Sequence, residues 1–168
     1  FLPLSMSGTV HMTARFSPDW VNTILAEHEA THLAAVPTML RMLGGGERQD
    51  RPIDILTGGE AVTPELGRLV FKRWPGATIH GIFGLTETGT CDLFRRDRAG
   101  GRMESGLGYP GEGIEVQTDP ANSELLIRSP YAMLGYLDMP DVTRQTLKDG
   151  WIRTGDMADI APDGQVRL

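Results

Sequence analysis

Apolar positions in the first half of the chain follow two periods. Val21, Ile24, Leu25 and His28 share one helical face, and Leu66, Leu69 and Val70 form a second such stripe. Both stripes carry a start signal. Ser17-Pro18-Asp19 sets a hydroxyl at the N-cap, a proline at the first helical position and an acid near the positive end. Thr63-Pro64-Glu65 repeats that chemistry. Short apolar runs lie around the stripes: Gly8 to Thr13, Leu33 to Val36, Ile53 to Thr57 and Ala77 to Ile82, each read as a strand. Pro37 opens a further helix that runs through Met42 and stops at Gly44-Gly45-Gly46. Strands separated by helices predict parallel pairing through βαβ crossovers.

After Gly84 the pattern changes. Ile114 to Val116, Leu125 to Ile127, Trp151 to Ile152, Met157 to Ile160 and Val166 to Leu168 are short apolar runs separated by turns such as Pro162-Asp163-Gly164. One short helix is expected near Val142 to Leu147. The predicted fold class is α/β: a parallel-sheet βαβ portion followed by a mostly antiparallel, β-barrel-like portion. The texture changes between residues 84 and 106, which divides the chain into an α/β subdomain over 1–90 and a β-rich subdomain over 91–168.

Composition narrows the class. The 168 residues fit one domain or one large fragment. A net charge of −6 argues against a nucleic-acid binder or a membrane-surface binder, both of which need a basic face. No run approaches the roughly 18 apolar residues that span a bilayer. Cys91 is the only cysteine, so no internal disulfide forms, which suits a reducing, cytoplasmic setting. Phe1-Leu2-Pro3-Leu4 is apolar but lacks the basic region and long apolar core of a signal peptide. The first residue is not Met, and the chain is expected to begin mid-protein. The 21 glycines and 11 prolines point to many loops and short strands rather than a helical bundle.

Several motifs carry candidate chemistry. His28-Glu29-Ala30-Thr31-His32 matches H-E-x-x-H, which on a helix binds zinc. Here a helix end followed by a strand is expected to point the two imidazoles apart. Gly106, Gly108 and Gly111 match G-x-G-x-x-G, but Pro110 interrupts it and a strand follows, so a turn is expected instead of a dinucleotide loop. Arg95, Arg96, Arg98 and Arg102 form a basic cluster, read as a solvated loop rather than a phosphate contact. Cys91 reads as a small packed residue rather than a nucleophile. Gly84-Leu85-Thr86-Glu87-Thr88-Gly89 is different: it follows a strand at a predicted switch point. Glycines there let backbone approach a ligand, threonine hydroxyls can meet phosphate oxygens, and Glu87 can hold a hard cation. Gly58-Gly59-Glu60-Ala61 also follows a strand. In Thr154-Gly155-Asp156, the aspartate can accept from both hydroxyls of a ribose.

Taken in order, these motifs carry a family resemblance. Gly58-Gly59-Glu60-Ala61 is followed by Phe83-Gly84-Leu85-Thr86-Glu87. Next come Glu124-Leu125-Leu126-Ile127-Arg128-Ser129-Pro130 with Gly135-Tyr136, and then Asp149-Gly150-Trp151-Ile152-Arg153-Thr154-Gly155-Asp156. This order resembles the adenylate-forming enzymes: acyl-CoA synthetases, luciferases and peptide-synthetase adenylation domains. Val36-Pro37-Thr38-Met39-Leu40 is similar to the family's strand-to-helix junction. Leu85, where peptide-synthetase domains usually have proline, tips the resemblance toward an acyl-CoA synthetase, an enzyme class of fatty-acid metabolism.

The resemblance implies a site. Gly58, Gly59, Glu60 and Ala61 would wrap an adenine, and Phe83 would stack on it in place of the usual tyrosine. Gly84 and Leu85 would carry the backbone past the nucleotide. Thr86 would touch the α-phosphate, and Glu87 would hold Mg²⁺, making these two the catalytic pair. Asp156 would bind the ribose, and His80, Gly81 and Ile82 would line an acyl pocket. The implied ligands are ATP or AMP, Mg²⁺, a carboxylic acid and coenzyme A, with no nucleic acid partner. The family's phosphate loop and its mobile C-terminal domain match no stretch here. The chain is therefore expected to be a fragment of a larger adenylate-forming enzyme, a carboxylate–CoA ligase, inactive when isolated and prone to self-association. The alternatives are a noncatalytic nucleotide-binding module and an H-E-x-x-H zinc hydrolase.

Overall fold

A computed structural model describes residues 2–60, 62–89, 91–101, 103 and 106–168. Ala61 and Arg102, both singled out above, lie outside the described residues, as does Phe1.

The elements run in this order: α1 (Leu2–Ser5), α2 (Pro18–Glu27), β1 (His32–Ala34), α3 (Pro37–Leu43), β2 (Ile53–Gly58), α4 (Pro64–Arg73), β3 (Ala77–Phe83), β4 (Leu93–Arg98), β5 (Tyr109–Pro110), β6 (Glu115–Thr118), β7 (Glu124–Arg128), α5 (Pro140–Thr146), β8 (Leu147–Lys148), β9 (Trp151–Met157), β10 (Asp159–Ile160) and β11 (Val166–Arg167). The helix starts follow the capping chemistry of the sequence. The Ser17 hydroxyl accepts from the Trp20 N–H at 3.3 Å, and the Thr63 hydroxyl accepts from the Leu66 N–H at 3.3 Å.

Three sheets form among the described residues. The first has the order β1-β2-β3-β4-β5. Its first three strands are parallel, as two successive crossovers through α3 and α4 require. Helices α2, α3 and α4 cover one face. There Val21, Leu25, Leu40, Leu43, Leu66 and Val70 pack onto Ile53, Ile55, Ala77 and Ile79. The other face, with Asp54, Leu56, His80 and Ile82, carries no helix and stays half-exposed or exposed. The second sheet has the order β6-β7-β9-β8 and is antiparallel, and β10 pairs with β11 in a third. A second core joins these pieces, built from Leu93, Leu107, Ile114, Leu125, Ile127 and Val166.

Three expectations change. The run from Gly8 to Thr13 is not a strand. Among the described residues no strand pairs with it, and Val10 and Met12 are exposed, so an apolar pattern alone does not extend the sheet. In the later half no closed barrel forms among the described residues: β4 and β5 join the first sheet, and β6 to β11 make two antiparallel sheets. The basic cluster is not a solvated loop, because Arg95, Arg96 and Arg98 lie in β4, antiparallel to β3. Along β4 the side chains alternate, with Leu93, Arg95 and Asp97 buried and Phe94, Arg96 and Arg98 exposed. Arg95 satisfies its guanidinium in full view of the core. Its Nε donates to Asp97 at 2.7 Å, and its terminal nitrogens donate to the carbonyls of Gly106 at 2.9 Å and Val62 at 3.1 Å.

Close approach rather than loop chemistry requires Gly108. It has φ +112°, and a Cβ there would lie 2.1 Å from the Phe94 carbonyl. Gly108 therefore lets β5 lie against β4.

Candidate functional site

The parallel strands end together, and their C-terminal ends open onto a cavity of about 860 Å³. Ala34 ends β1, Leu56 and Ile82 lie near the ends of β2 and β3, Met39 comes from α3, and Gly58, Gly59, Gly84 and Gly89 leave backbone bare on the cavity wall. Gly58 cannot be larger: a Cβ there would lie 2.7 Å from the Ile82 Cγ1 and 2.8 Å from its carbonyl oxygen. The cavity sits outside the carboxyl ends of the parallel strands, where α/β sheets bind ligands. Cys91 lines it and is half-buried.

Between β3 and β4 the chain makes a compact turn at Thr86 to Gly89. The Thr88 hydroxyl stitches it: it accepts from the Leu85 N–H at 3.2 Å and donates toward the Leu85 carbonyl at 3.0 Å. Two further bonds come from the loop after β7. The Ser129 hydroxyl donates to the Thr88 carbonyl at 3.1 Å, and the Met133 N–H donates to the Glu87 carbonyl at 2.7 Å. Gly89, with φ +73°, admits that loop, since a Cβ would meet the Tyr131 carbonyl at 2.4 Å. With the interior of the turn tied down, Thr86 is left exposed at the cavity and Glu87 half-buried beside it.

Glu87 faces a second cavity of about 430 Å³, shared with Leu85, Tyr136, Thr146, Arg153, Thr154 and Gly155. The Tyr136 hydroxyl donates to the Glu87 Oε1 at 2.6 Å. Arg153 is held between two acids: it donates to Asp119 at 2.9 Å and to Glu124, whose other oxygen accepts from the Gly155 N–H at 3.0 Å. The Ala121 N–H and then Arg153 hold the Asp119 carboxyl below the usual carboxylate range.

The remaining candidates divide. Gly58, Gly59, Ile82, Gly84, Leu85 and Thr86 meet in the first cavity, and Glu87 lies in the second. Glu60 turns to the surface, where it accepts from Thr38 at 3.2 Å and Arg41 at 3.4 Å. Phe83 is partly buried against the second core. Gly81 is buried beside Arg95. His80 lies on the uncovered sheet face and bonds Asp54 at 2.6 Å, a contact that, above all, lowers the Asp54 carboxyl. Asp156 is half-buried in β9 and lines neither cavity, although its neighbours Thr154 and Gly155 line the second.

The H-E-x-x-H stretch is not a helix. α2 stops at Glu27, His28 caps it, Glu29 has φ +45° and His32 starts β1. Among the described residues no group of three or more His, Cys, Asp or Glu is placed to hold a metal. Gly106, Gly108 and Gly111 lead into the strands β5 and β6 rather than opening a helix. Among the described residues no helix is long and apolar enough to cross a membrane.

Sequence reading passed over Asp92, which is fully buried beneath the turn. Thr88 has one hydroxyl proton for two acceptors, the Leu85 carbonyl and the Asp92 carboxyl 2.5 Å away. A protonated Asp92 resolves this by donating to Thr88. Burial pushes the Asp92 carboxyl above its ordinary value, against the smaller downward pull of Thr88 and Leu85. The folded state therefore binds this proton more tightly than the unfolded chain. The cost of ionising Asp92 grows as pH rises from the unfolded value through the folded one, then levels off. Asp92→Asn keeps the donor and removes the ionisation. The melting temperature of this variant relative to wild type is expected to rise as the pH is raised above the ordinary carboxylate range. A pH-independent difference in thermal melts would assign no ionisation cost to this carboxyl.

The sequence and the fold have matches among known proteins. The chain matches the family described as AMP-binding enzyme over residues 1–137, and it belongs to that family. It is 31% identical over 166 residues to the 2-succinylbenzoate–CoA ligase of Staphylococcus epidermidis, covering 94% of this chain and 34% of that protein. It is 27% identical over 190 residues to a probable CoA ligase of Humulus lupulus, covering 98% of this chain and 33% of that one. Its fold superposes on O-succinylbenzoate coenzyme A synthetase of Bacillus subtilis, solved with ATP and magnesium ion. The TM-score is 0.79 at 22% identity, over 98% of this chain and 36% of the other. The chain thus spans about a third of the length of the curated relatives it matches.

Proposed function

We propose that this chain carries the nucleotide and acid sites of an ATP-dependent carboxylate–CoA ligase. The observation that carries the reading is the Thr86–Gly89 turn, tied down from within and from the loop after β7, with Thr86 and Glu87 left facing adjoining cavities. Gly58 to Ala61 wrap the adenine, Phe83 stacks on it and Asp156 takes the ribose hydroxyls. Thr86 donates its hydroxyl to the α-phosphate. The apolar wall of Ala34, Leu56 and Ile82 takes the acid's hydrocarbon part. The acid's carboxylate oxygen attacks the α-phosphorus, a new P–O bond forms and pyrophosphate leaves. The thiol of coenzyme A then attacks the acyl carbonyl, its proton is lost to solvent, and AMP leaves with the electron pair of the C–O bond.

The residues present fit Mg²⁺. That ion keeps several waters and takes one or two carboxylates plus substrate phosphates, and Glu87 beside an open cavity offers such a donor. When bound, Mg²⁺ neutralises charge on the phosphates. The residues of the chain do the rest: glycine backbone approaches the ligand, Thr86 donates, and the tied turn spends no reorganisation when charge develops. A cytoplasmic location fits the single cysteine.

The test is ATP–pyrophosphate exchange by the protein as its gene encodes it, against a panel of aryl, branched and straight-chain carboxylic acids. Acid-dependent exchange is the expected result. Binding of ATP with no exchange for any acid would favour a noncatalytic nucleotide module.

A further inference from the structure

We propose that Tyr136 is the positioning residue of the magnesium site: its phenol pins the Glu87 carboxylate in one orientation, with one oxygen taken and the other free for the ion. This rests on the reading of Glu87 as the ion's ligand. A carboxylate at the end of two methylenes samples several rotamers, and a ligand that must first be ordered binds more weakly. Here the hydroxyl of Tyr136 donates to Oε1 at 2.6 Å, and the Glu87 carbonyl accepts from Met133 on the same loop at 2.7 Å. Side chain and backbone of Glu87 are thus both held by one segment. That segment is itself anchored. The Tyr136 N–H donates to the Thr143 hydroxyl of α5 at 2.9 Å, and that hydroxyl donates back to the Met139 carbonyl at 2.9 Å. Gly135, with φ +151°, lets the chain close on Thr143, where a Cβ would sit 2.9 Å from the threonine methyl. Thr146, also on α5, lines the same cavity as Glu87 and Tyr136. The result is a rigid path from α5 through Tyr136 to one oxygen of Glu87. Octahedral Mg²⁺ coordination favours a single carboxylate oxygen in a set direction, and partners behind metal ligands set that direction.

The experiment compares wild type with Tyr136→Phe, Glu87→Gln and Tyr131→Phe in the protein as its gene encodes it. Mn²⁺, read by electron paramagnetic resonance in the presence of ATP, serves as the probe. Metal-free ATP affinity and the Mg²⁺ dependence of pyrophosphate exchange are measured alongside. Tyr136→Phe is expected to weaken Mn²⁺ binding about tenfold and to shift the Mg²⁺ half-saturation upward by a similar factor. Metal-free ATP affinity is expected to hold, and Tyr131→Phe, an exposed ring on the same loop, is expected to match wild type. If Glu87→Gln weakens Mn²⁺ binding and Tyr136→Phe does not, Tyr136 has no positioning role while Glu87 keeps its own. If neither weakens it, the placement of the ion at Glu87 fails, and the proposal with it. Should Tyr136→Phe melt early, the same ratio of metal to ATP affinity, taken at a temperature below its transition, decides between the outcomes.

Discussion

Glu87→Gln, made in the protein as its gene encodes it, is expected to lower acyl-adenylate formation on the order of 10²-fold. The amide keeps the shape of the side chain and can still accept from the Tyr136 hydroxyl, which lies 2.6 Å from Oε1. The backbone bonds of the turn, from Met133 and within Leu85 to Gly89, do not involve the carboxylate. What is lost is the charge that makes the oxygen a ligand for a hard cation. The loss is therefore expected in turnover, with the melting temperature unchanged. Pyrophosphate exchange across a series of Mg²⁺ concentrations checks it, and full activity at every concentration would remove the metal from Glu87.

The largest effect on stability is expected at Trp74. It is the largest fully buried side chain and closes α4 onto β3. Its indole N–H donates to Gln49 at 3.0 Å, and the guanidinium of buried Arg73 stacks over its ring at 4.2 Å. Trp74→Ala leaves a cavity, strips the ring from Arg73 and frees Gln49, at a cost of about 3–5 kcal/mol. Trp74→Phe keeps most of the volume and is expected to cost less than half of that. Urea unfolding of both variants gives the comparison, with the slope of the transition as a control on the unfolded state. A loss under about 1 kcal/mol for alanine would mean that α4 collapses into the space without strain.

Much of the α/β portion was legible because its signals are local. Ser17 and Thr63 cap helices with their own side chains, and the apolar stripes at Val21 and Leu25 and at Leu66 and Val70 face one core. The glycine-rich turn could be found because it follows a strand and combines small residues with hydroxyls and one acid. Its supports were not legible. Ser129, Met133 and Tyr136 reach Thr88 and Glu87 across more than forty positions of sequence, and nothing in local periodicity records such a bond. Tyr136 and Glu87 each stand in the ordered motifs, but the bond between them has no local signature.

Strand β4 shows the same limit from another side. Its inward row is Leu93, Arg95 and Asp97, so the period of two is present in burial and absent from hydropathy. A buried arginine is tolerable because Asp97 and two carbonyls from distant segments meet it, and only folding brings those together. Conversely, Gly8 to Thr13 has a strand-like pattern but no partner strand among the described residues, and it forms no strand.

By itself, then, the sequence determined the helices with capped starts, the parallel order of the strands between them and the place of the turn at the end of β3. These depend on contacts within a few residues, on chain connectivity and on the side-chain period. The tertiary structure decided that β4 joins the first sheet, that the later strands make open sheets, that Asp92 lies buried beneath the turn and that Tyr136 holds Glu87. Those outcomes depend on the burial of charged and polar groups, and burial is favourable only where partners remote in sequence satisfy them.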